Sequence, residues 1–217
     1  MPVPTLSADQ PSPAATAPEG DALLLEAARN RIEIYRLLAA LMRRSADQSL
    51  LIALADMPLP DSDPNEPELT RAWRELRCAA GNADPDVVDD EFHALFIGLG
   101  RGEILPYASW YVSGFLMDRP LVALRSDLQR LGIVRDPDNK EPEDHAAALC
   151  ETMALLAEQA EGDDLNEQRN FLLMHISPWM GQLFADIKQA ENADFYRAVA
   201  ALGSAFLTVE QSWLSLP

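Results

Sequence analysis

Between Asp21 and Trp213 apolar residues recur every three to four positions, and no stretch of useful length alternates apolar with polar side chains. A helix returns to the same face every 3.6 residues and a strand every two, so this spacing favours helices and leaves no material for a sheet. Ala and Leu dominate and β-branched residues are few, which points the same way. The expected fold is all-α, a single helical-bundle domain of roughly nine or ten helices over residues 20–217. Residues 1–19 are rich in Pro, Ala, Ser and Thr, without the basic start and apolar centre of a signal peptide, and read as a disordered tail.

Helix punctuation divides the chain. Asp21 is placed to cap a helix over about 22–44, with Leu24, Ala27, Ala28, Ile34, Tyr35, Leu38, Leu41 and Met42 on one face. The Arg43-Arg44 pair ends that helix. It lies too far from the N-terminus for an export signal, and arginine at a helix C-terminus is favourable in itself. A short helix over 47–56 stops before Pro58, and a Pro- and Asp-rich loop covers 57–67. The next helix, 68–80, finds a C-cap in Gly81. Asp84-Pro85 opens another, ending at Gly98. Further helices are expected over 109–118, 120–131 and from Glu141-Pro142 to about 161. Asp164 and Glu167 have capping-box spacing for 165–176, Ser177-Pro178 caps the next, and Asp194 caps the last.

The formal net charge is −18 among 217 residues, which argues against nucleic-acid binding and favours a basic partner or simply solubility. No apolar run reaches the ~20 residues that span a bilayer. Cys78 and Cys150 read as buried thiols in helices, which suits a reducing cytoplasm. The three histidines have no zinc-site spacing, so no metal is expected. Gly98, Gly100 and Gly102 superficially match a phosphate-binding loop but lack the preceding strand and the Lys-Ser/Thr ending; tight turning explains them more simply.

Asp144 and His145 could activate a water if they met a third group, which makes a nucleotide (GTP) hydrolase an alternative function. Helical neighbours point about 100° apart, so they form no dyad with each other. On side-chain chemistry alone Asp144 is a first-turn acid and His145 a capping or core histidine. Asp89-Asp90-Glu91 reads as a solvated face, and Trp110, Tyr111 and Phe115 as core.

Three segments, Glu91-Phe92-x-x-Leu95-Phe96-x-Gly98, Pro106-Tyr107-x-Ser109-x-Tyr111 and Glu141-Pro142-x-Asp144-His145, resemble in order and spacing the signature of the TorD/DmsD family, related to NarJ. Phe171-Leu172-x-x-His175-Ile176-x-Pro178-Trp179 is similar to a further family element. The resemblance implies a cytoplasmic redox-enzyme chaperone with no catalysis and no cofactor of its own. It implies as partners the twin-arginine signal peptide, and the apo body, of a molybdopterin oxidoreductase, held for cofactor insertion before export.

A twin-arginine leader offers two guanidinium groups and an apolar, helix-prone run. Its receptor therefore needs carboxylates, which accept arginine bidentately, beside a groove that takes an apolar helix. Glu141 and Asp144 are the candidate acceptors, next to Pro142 and His145; Leu95, Phe96, Pro106, Trp110 and Tyr111 are the candidate walls. The loops 57–67 and 132–140 are long enough to allow a homodimer by helix exchange.

Overall fold

The computed structural model describes residues 19–98, 101–136, 138–159 and 165–215. Ten α-helices and two π-helical turns account for the regular structure among them, with no named strand. The helices are α1 (Glu19–Arg43), α2 (Gln48–Ala55), α3 (Glu68–Asn82), α4 (Pro85–Phe92), α5 (Ala108–Ser113), α6 (Arg119–Arg130), α7 (Ala146–Gln159), α8 (Asn166–Phe171), α9 (Met180–Gln189) and α10 (Phe195–Leu214). The π turns, His93–Ile97 and Leu172–Ile176, continue α4 and α8. The expected all-α bundle is what forms. The expected tail lies outside the described residues except for Glu19, which opens α1.

α10 is the axis of the bundle. Twelve of its twenty residues are buried, over a broad face, while Arg197, Thr208, Gln211 and Ser212 on the opposite stripe are exposed. α3 and α9 pack against it, and α1 lies along α7. Ile34, Tyr35, Leu38, Leu41 and Met42 of α1 enter the core as their spacing requires.

One buried ion pair joins these layers. Arg31 donates from Nε to Glu210 Oε1 at 2.5 Å and from Nη2 to Glu210 Oε2 and Gln168 Oε1, both at 2.8 Å. The Tyr35 hydroxyl adds a bond to Glu210 at 2.9 Å. Enclosed charge is tolerated only when its hydrogen-bonding capacity is met, and this network does so across α1, α8 and α10.

The cap read at Asp84 forms, and Asp47, read as the first residue of its helix, proves to be a cap as well. Asp47 accepts the Leu50 N–H and Asp84 the Asp86 N–H, with Pro85 in the first turn of α4. Several other boundaries move. α3 runs through Gly81 to Asn82. α5 stops at Ser113, because Gly114 turns left-handed (φ 80°), so the helix expected to reach Asp118 ends five residues early. α7 starts at Ala146 and not at Glu141, since residues 141–145 are drawn into a contact with the segment before α5. α9 starts at Met180, with no side-chain cap from Ser177. The capping box proposed for Asp164 lies outside the described residues. Cys150 is buried, but Cys78 is exposed, a correction to the expectation of two core thiols.

Candidate functional site: a carboxylate-lined groove beside a two-segment clasp

Where the signature segments meet, backbone pairing brings two distant pieces of chain together. Residues 106–109 and 144–146 run antiparallel, with Tyr107 opposite His145. The Ala108 N–H donates to Asp144 O at 2.9 Å and the Ala146 N–H to Pro106 O at 2.8 Å. The Asp144 side chain completes the clasp, its Oδ2 accepting the Ser109 N–H at 2.8 Å. Ser109 lies in the first turn of α5, so Asp144 caps that helix from 35 residues away. Asp144 has no solvent exposure. Asp144, expected to accept a guanidinium, is thus enclosed, with Oδ2 held by the Ser109 N–H and Oδ1 buried without a hydrogen-bond partner among the described residues.

His145 is also closed in. Its ring stands edge-on to Tyr107, centroids 5.0 Å apart, and its Nδ1 accepts the Ala147 N–H at 3.1 Å, a cap on α7. Burial, outweighing the attraction of Glu141, pulls its pKa down to about 4, so at neutral pH the ring is uncharged. The Tyr107 hydroxyl donates to Glu141, and burial together with that carboxylate keeps the phenol protonated well above its usual range.

The remaining motif carboxylate works in the same way. Glu91 is buried, not part of a solvated face. It accepts three backbone N–H groups at the start of α10: those of Asp194 (2.8 Å), Phe195 (3.0 Å) and Tyr196 (2.8 Å). Asp194, expected to cap this helix, makes no side-chain cap. A charge-assisted set of three bonds satisfies most of the free donors of a helix N-terminus and leaves a local acid no role. In the fourth segment, His175 Nε2 lies 2.8 Å from Asp127 Oδ2 on α6, and the Trp179 indole donates to His175 O at 2.7 Å.

The glycine loop has a structural reason too. The π turn leaves carbonyls of Ala94 and Leu95 free, and the returning chain satisfies them through the N–H groups of Glu103 (3.3 Å) and Ile104 (2.8 Å). That return passes so close that a Cβ on Gly102 would lie 2.5 Å from Phe96 C. Leu99 and Gly100 lie outside the described residues.

Outside the clasp lies the groove. A cavity of about 140 Å³ is bounded by Phe96, Pro106, Tyr107, Glu141 and His145, among others. It shares Arg43, Asn139, Glu141 and Ala148 with a second space of about 320 Å³, which adds Ile133, Val134, Asp136, Glu143 and Glu151. A third, about 480 Å³ between α1 and α7, continues from it through Arg43, Glu151 and Leu155. The three are adjoining hollows that share walls, with apolar patches (Val134 and Leu155 are exposed), several carboxylates and the arginines Arg36, Arg43, Arg44 and Arg135.

Of the residues expected to bind a leader, Phe96, Pro106, Glu141 and His145 come together on this groove. Leu95 is entirely in the core. Tyr111 bonds to Asp186 at 2.9 Å and stacks on Trp179, joining α5 to α9. Trp110 carries the Arg101 guanidinium 4.5 Å above its ring. Pro142 sits within the turn that feeds the clasp, half-buried. Arg43, Asn139, Glu143 and Glu151 were not read from the sequence as site residues: Arg43 stood out only as part of a helix-ending pair, Glu143 fell at an open position of a signature segment, and Asn139 and Glu151 carry no spacing signal.

Among the described residues no three His, Cys, Asp or Glu side chains form a group that could hold a metal ion, and no helix is long and apolar enough to cross a membrane.

Fold and site thus define an all-α bundle with an open groove, lined by carboxylates and arginines, beside a clasp of signature residues. The chain belongs to the nitrate reductase delta subunit family, whose model matches residues 62–185, within the TorD/DmsD group. It is 28% identical over 134 residues to the chaperone protein TorD of Vibrio parahaemolyticus, covering 57% of this chain and 62% of that one. It is 30% identical over 117 residues to a protein named as the Tat proofreading chaperone DmsD of Haemophilus influenzae, covering 53% and 56%. Those matches span less than two thirds of either relative. A fainter likeness, 23% over 210 residues, covers 85% of this chain and 89% of the TorD of Shewanella pealeana. Among solved structures, a protein described as a redox enzyme maturation protein of Archaeoglobus fulgidus superposes with a TM-score of 0.52 at 16% identity, over 82% of this chain and 93% of that one, which shows a shared fold.

Proposed function

We propose that this protein is a cytoplasmic maturation chaperone, not an enzyme, that binds the twin-arginine leader of a molybdopterin oxidoreductase in the groove and holds the apo-enzyme until its cofactor is inserted. The observation that carries this reading is the lining of one hollow, in which Glu141, Glu151 and Glu143, the last already paired with Arg125, lie beside Ile133, Val134 and Leu155. Carboxylates would receive the guanidinium groups and the apolar patches the helix-prone run that follows them. The net charge of −18 would draw a basic leader in from a distance, within a Debye length of about 8 Å at physiological ionic strength. The names of the relatives, TorD and a Tat proofreading chaperone, support the same role.

The hydrolase alternative has weaker support. Asp144 is closed to solvent with its Oδ2 held by Ser109, so it has no exposed oxygen with which to orient a water.

Calorimetry with a synthetic peptide carrying an Arg-Arg pair before an apolar helix-forming run tests the proposal. The expected result is saturable binding that weakens when the pair becomes Gln-Gln and weakens further in Glu151→Gln or Glu141→Gln protein. No heat at any salt concentration would sink it.

A further inference from the structure

The sequence holds an arginine pair of its own, Arg43-Arg44, for which helix-end electrostatics gave a sufficient local reason. Its place in the fold suggests more. Arg43 is the residue common to all three parts of the groove. Its Nη2 donates to Glu151 Oε2 at 2.5 Å, with both side chains nearly half exposed (41% and 48%). Two helical turns earlier on α1, Arg36 pairs with Glu158 of α7 in the same way. The groove of the free protein is therefore lined with guanidinium–carboxylate pairs, the same chemistry a leader would use.

We infer that Arg43 is an internal stand-in for the leader's arginine, occupying Glu151 in the free protein and giving it up when a ligand guanidinium arrives. This deepens the proposed function and rests on the groove being the leader site.

The physics of such an exchange is specific. An exposed ion pair contributes little, so Arg43 is displaced at small cost. One guanidinium replaces another, and the electrostatic gain of the exchange is small. Net affinity then depends on the apolar run, so that an arginine pair without one binds poorly. Arg43 itself makes one bond to Glu151, from Nη2 to Oε2; a lysine pair exchanges at a loss, because an ammonium lacks the planar fork with which a ligand guanidinium could take both carboxylate oxygens. Arg43 thereby raises the threshold against merely basic peptides, in a protein whose net charge would otherwise attract them all. The groove charge near His145 is also shaped by Arg43, whose field adds to burial in holding that ring neutral.

The test is calorimetry of full-length wild type, Arg43→Gln, Arg43→Lys and Arg44→Gln against the Arg-Arg peptide, its Lys-Lys counterpart and a short Arg-Arg peptide without the apolar run. Circular dichroism checks that each variant is folded. Arg44 lines the groove and, among the described residues, has no carboxylate partner, so its variant reports the general effect of removing one positive charge. Arg43→Gln is expected to bind the Arg-Arg peptide about threefold to fivefold more tightly, the worth of one exposed pair, with Arg44→Gln gaining less. Discrimination against Lys-Lys should shrink, and the gain should vanish when Glu151→Gln is combined with Arg43→Gln. Arg43→Lys should fall between wild type and Arg43→Gln, and serves if the glutamine variant does not fold. If wild type binds and Arg43→Gln binds equally or more weakly, or if Arg44→Gln gains as much, the stand-in role is overturned while the groove remains the leader site. If no protein in the series binds, the groove reading fails and the inference fails with it.

Discussion

Asp144 Oδ2 accepts the backbone N–H of Ser109 at 2.8 Å, and with that bond two signature segments 35 residues apart become one structural unit. The pairing explains why an aspartate follows Glu-Pro-Glu and precedes His in this chain. A carboxylate at the mouth of α5 satisfies a donor from 35 residues away, while the neighbouring His145 caps α7 locally, two residues from its donor.

Asp144→Ala should destabilise the protein by about 1–3 kcal/mol, the usual cost of leaving a buried donor unpaired. The urea midpoint should fall while the helical circular dichroism at low denaturant persists. Loss of peptide binding with an unchanged midpoint would instead assign Asp144 to ligand contact.

Glu91→Ala removes the acceptor of three N–H groups at the start of α10, the central helix. A loss on the order of 3 kcal/mol is expected, more than for Asp194→Ala, which should change little because Asp194 makes no side-chain cap. Comparable losses for the two variants would contradict the assignment.

The buried pair Arg31–Glu210 predicts non-additivity. Arg31→Met alone leaves Glu210 charged and enclosed, at a cost of about 3–5 kcal/mol. The double variant Arg31→Met with Glu210→Leu should recover much of that loss. Chemical denaturation of the singles and the double gives the coupling directly; additive losses would show that the pair does not act as a unit.

His145 makes stability depend on pH. Its folded pKa, about 4, is below its ordinary value of 6.5, so between these values the unfolded chain binds the proton and the native one does not. The contribution of the neutral ring, on the order of 3 kcal/mol, is complete above about pH 6.5 and is lost as pH falls towards 4. Glu141 and Asp144 oppose the shift and Arg43 reinforces it. Unfolding free energies at pH 7 and pH 4.5 should therefore converge more closely in His145→Gln than in wild type. An equal drop in both would remove His145 as the source.

Four of the nine residues expected to bind a leader, Phe96, Pro106, Glu141 and His145, line the groove. They could be read because each sits in a short motif whose spacing survives without knowledge of the fold. Leu95 belongs to the core, Asp144 to the clasp, and Tyr111 to the contact between α5 and α9, because a motif records that a residue matters without recording for what. Glu151 gave no sign at all and Arg43 only that of a helix-ending arginine pair; their pairing appears once α1 and α7 are laid side by side.

The sequence by itself determined which segments are helical, the ends marked by Asp47 and Asp84, and the all-α class, because periodicity and short-range capping act within a few residues of chain. Only the tertiary structure decided how the remaining helix ends are satisfied and where the groove lies. Glu91 reaches α10 across more than a hundred residues, Arg31 meets Glu210 across 179, and the groove forms between elements that packing alone makes neighbours. Those contacts depend on the sum of buried surface over the whole bundle, a quantity that no local stretch of sequence contains.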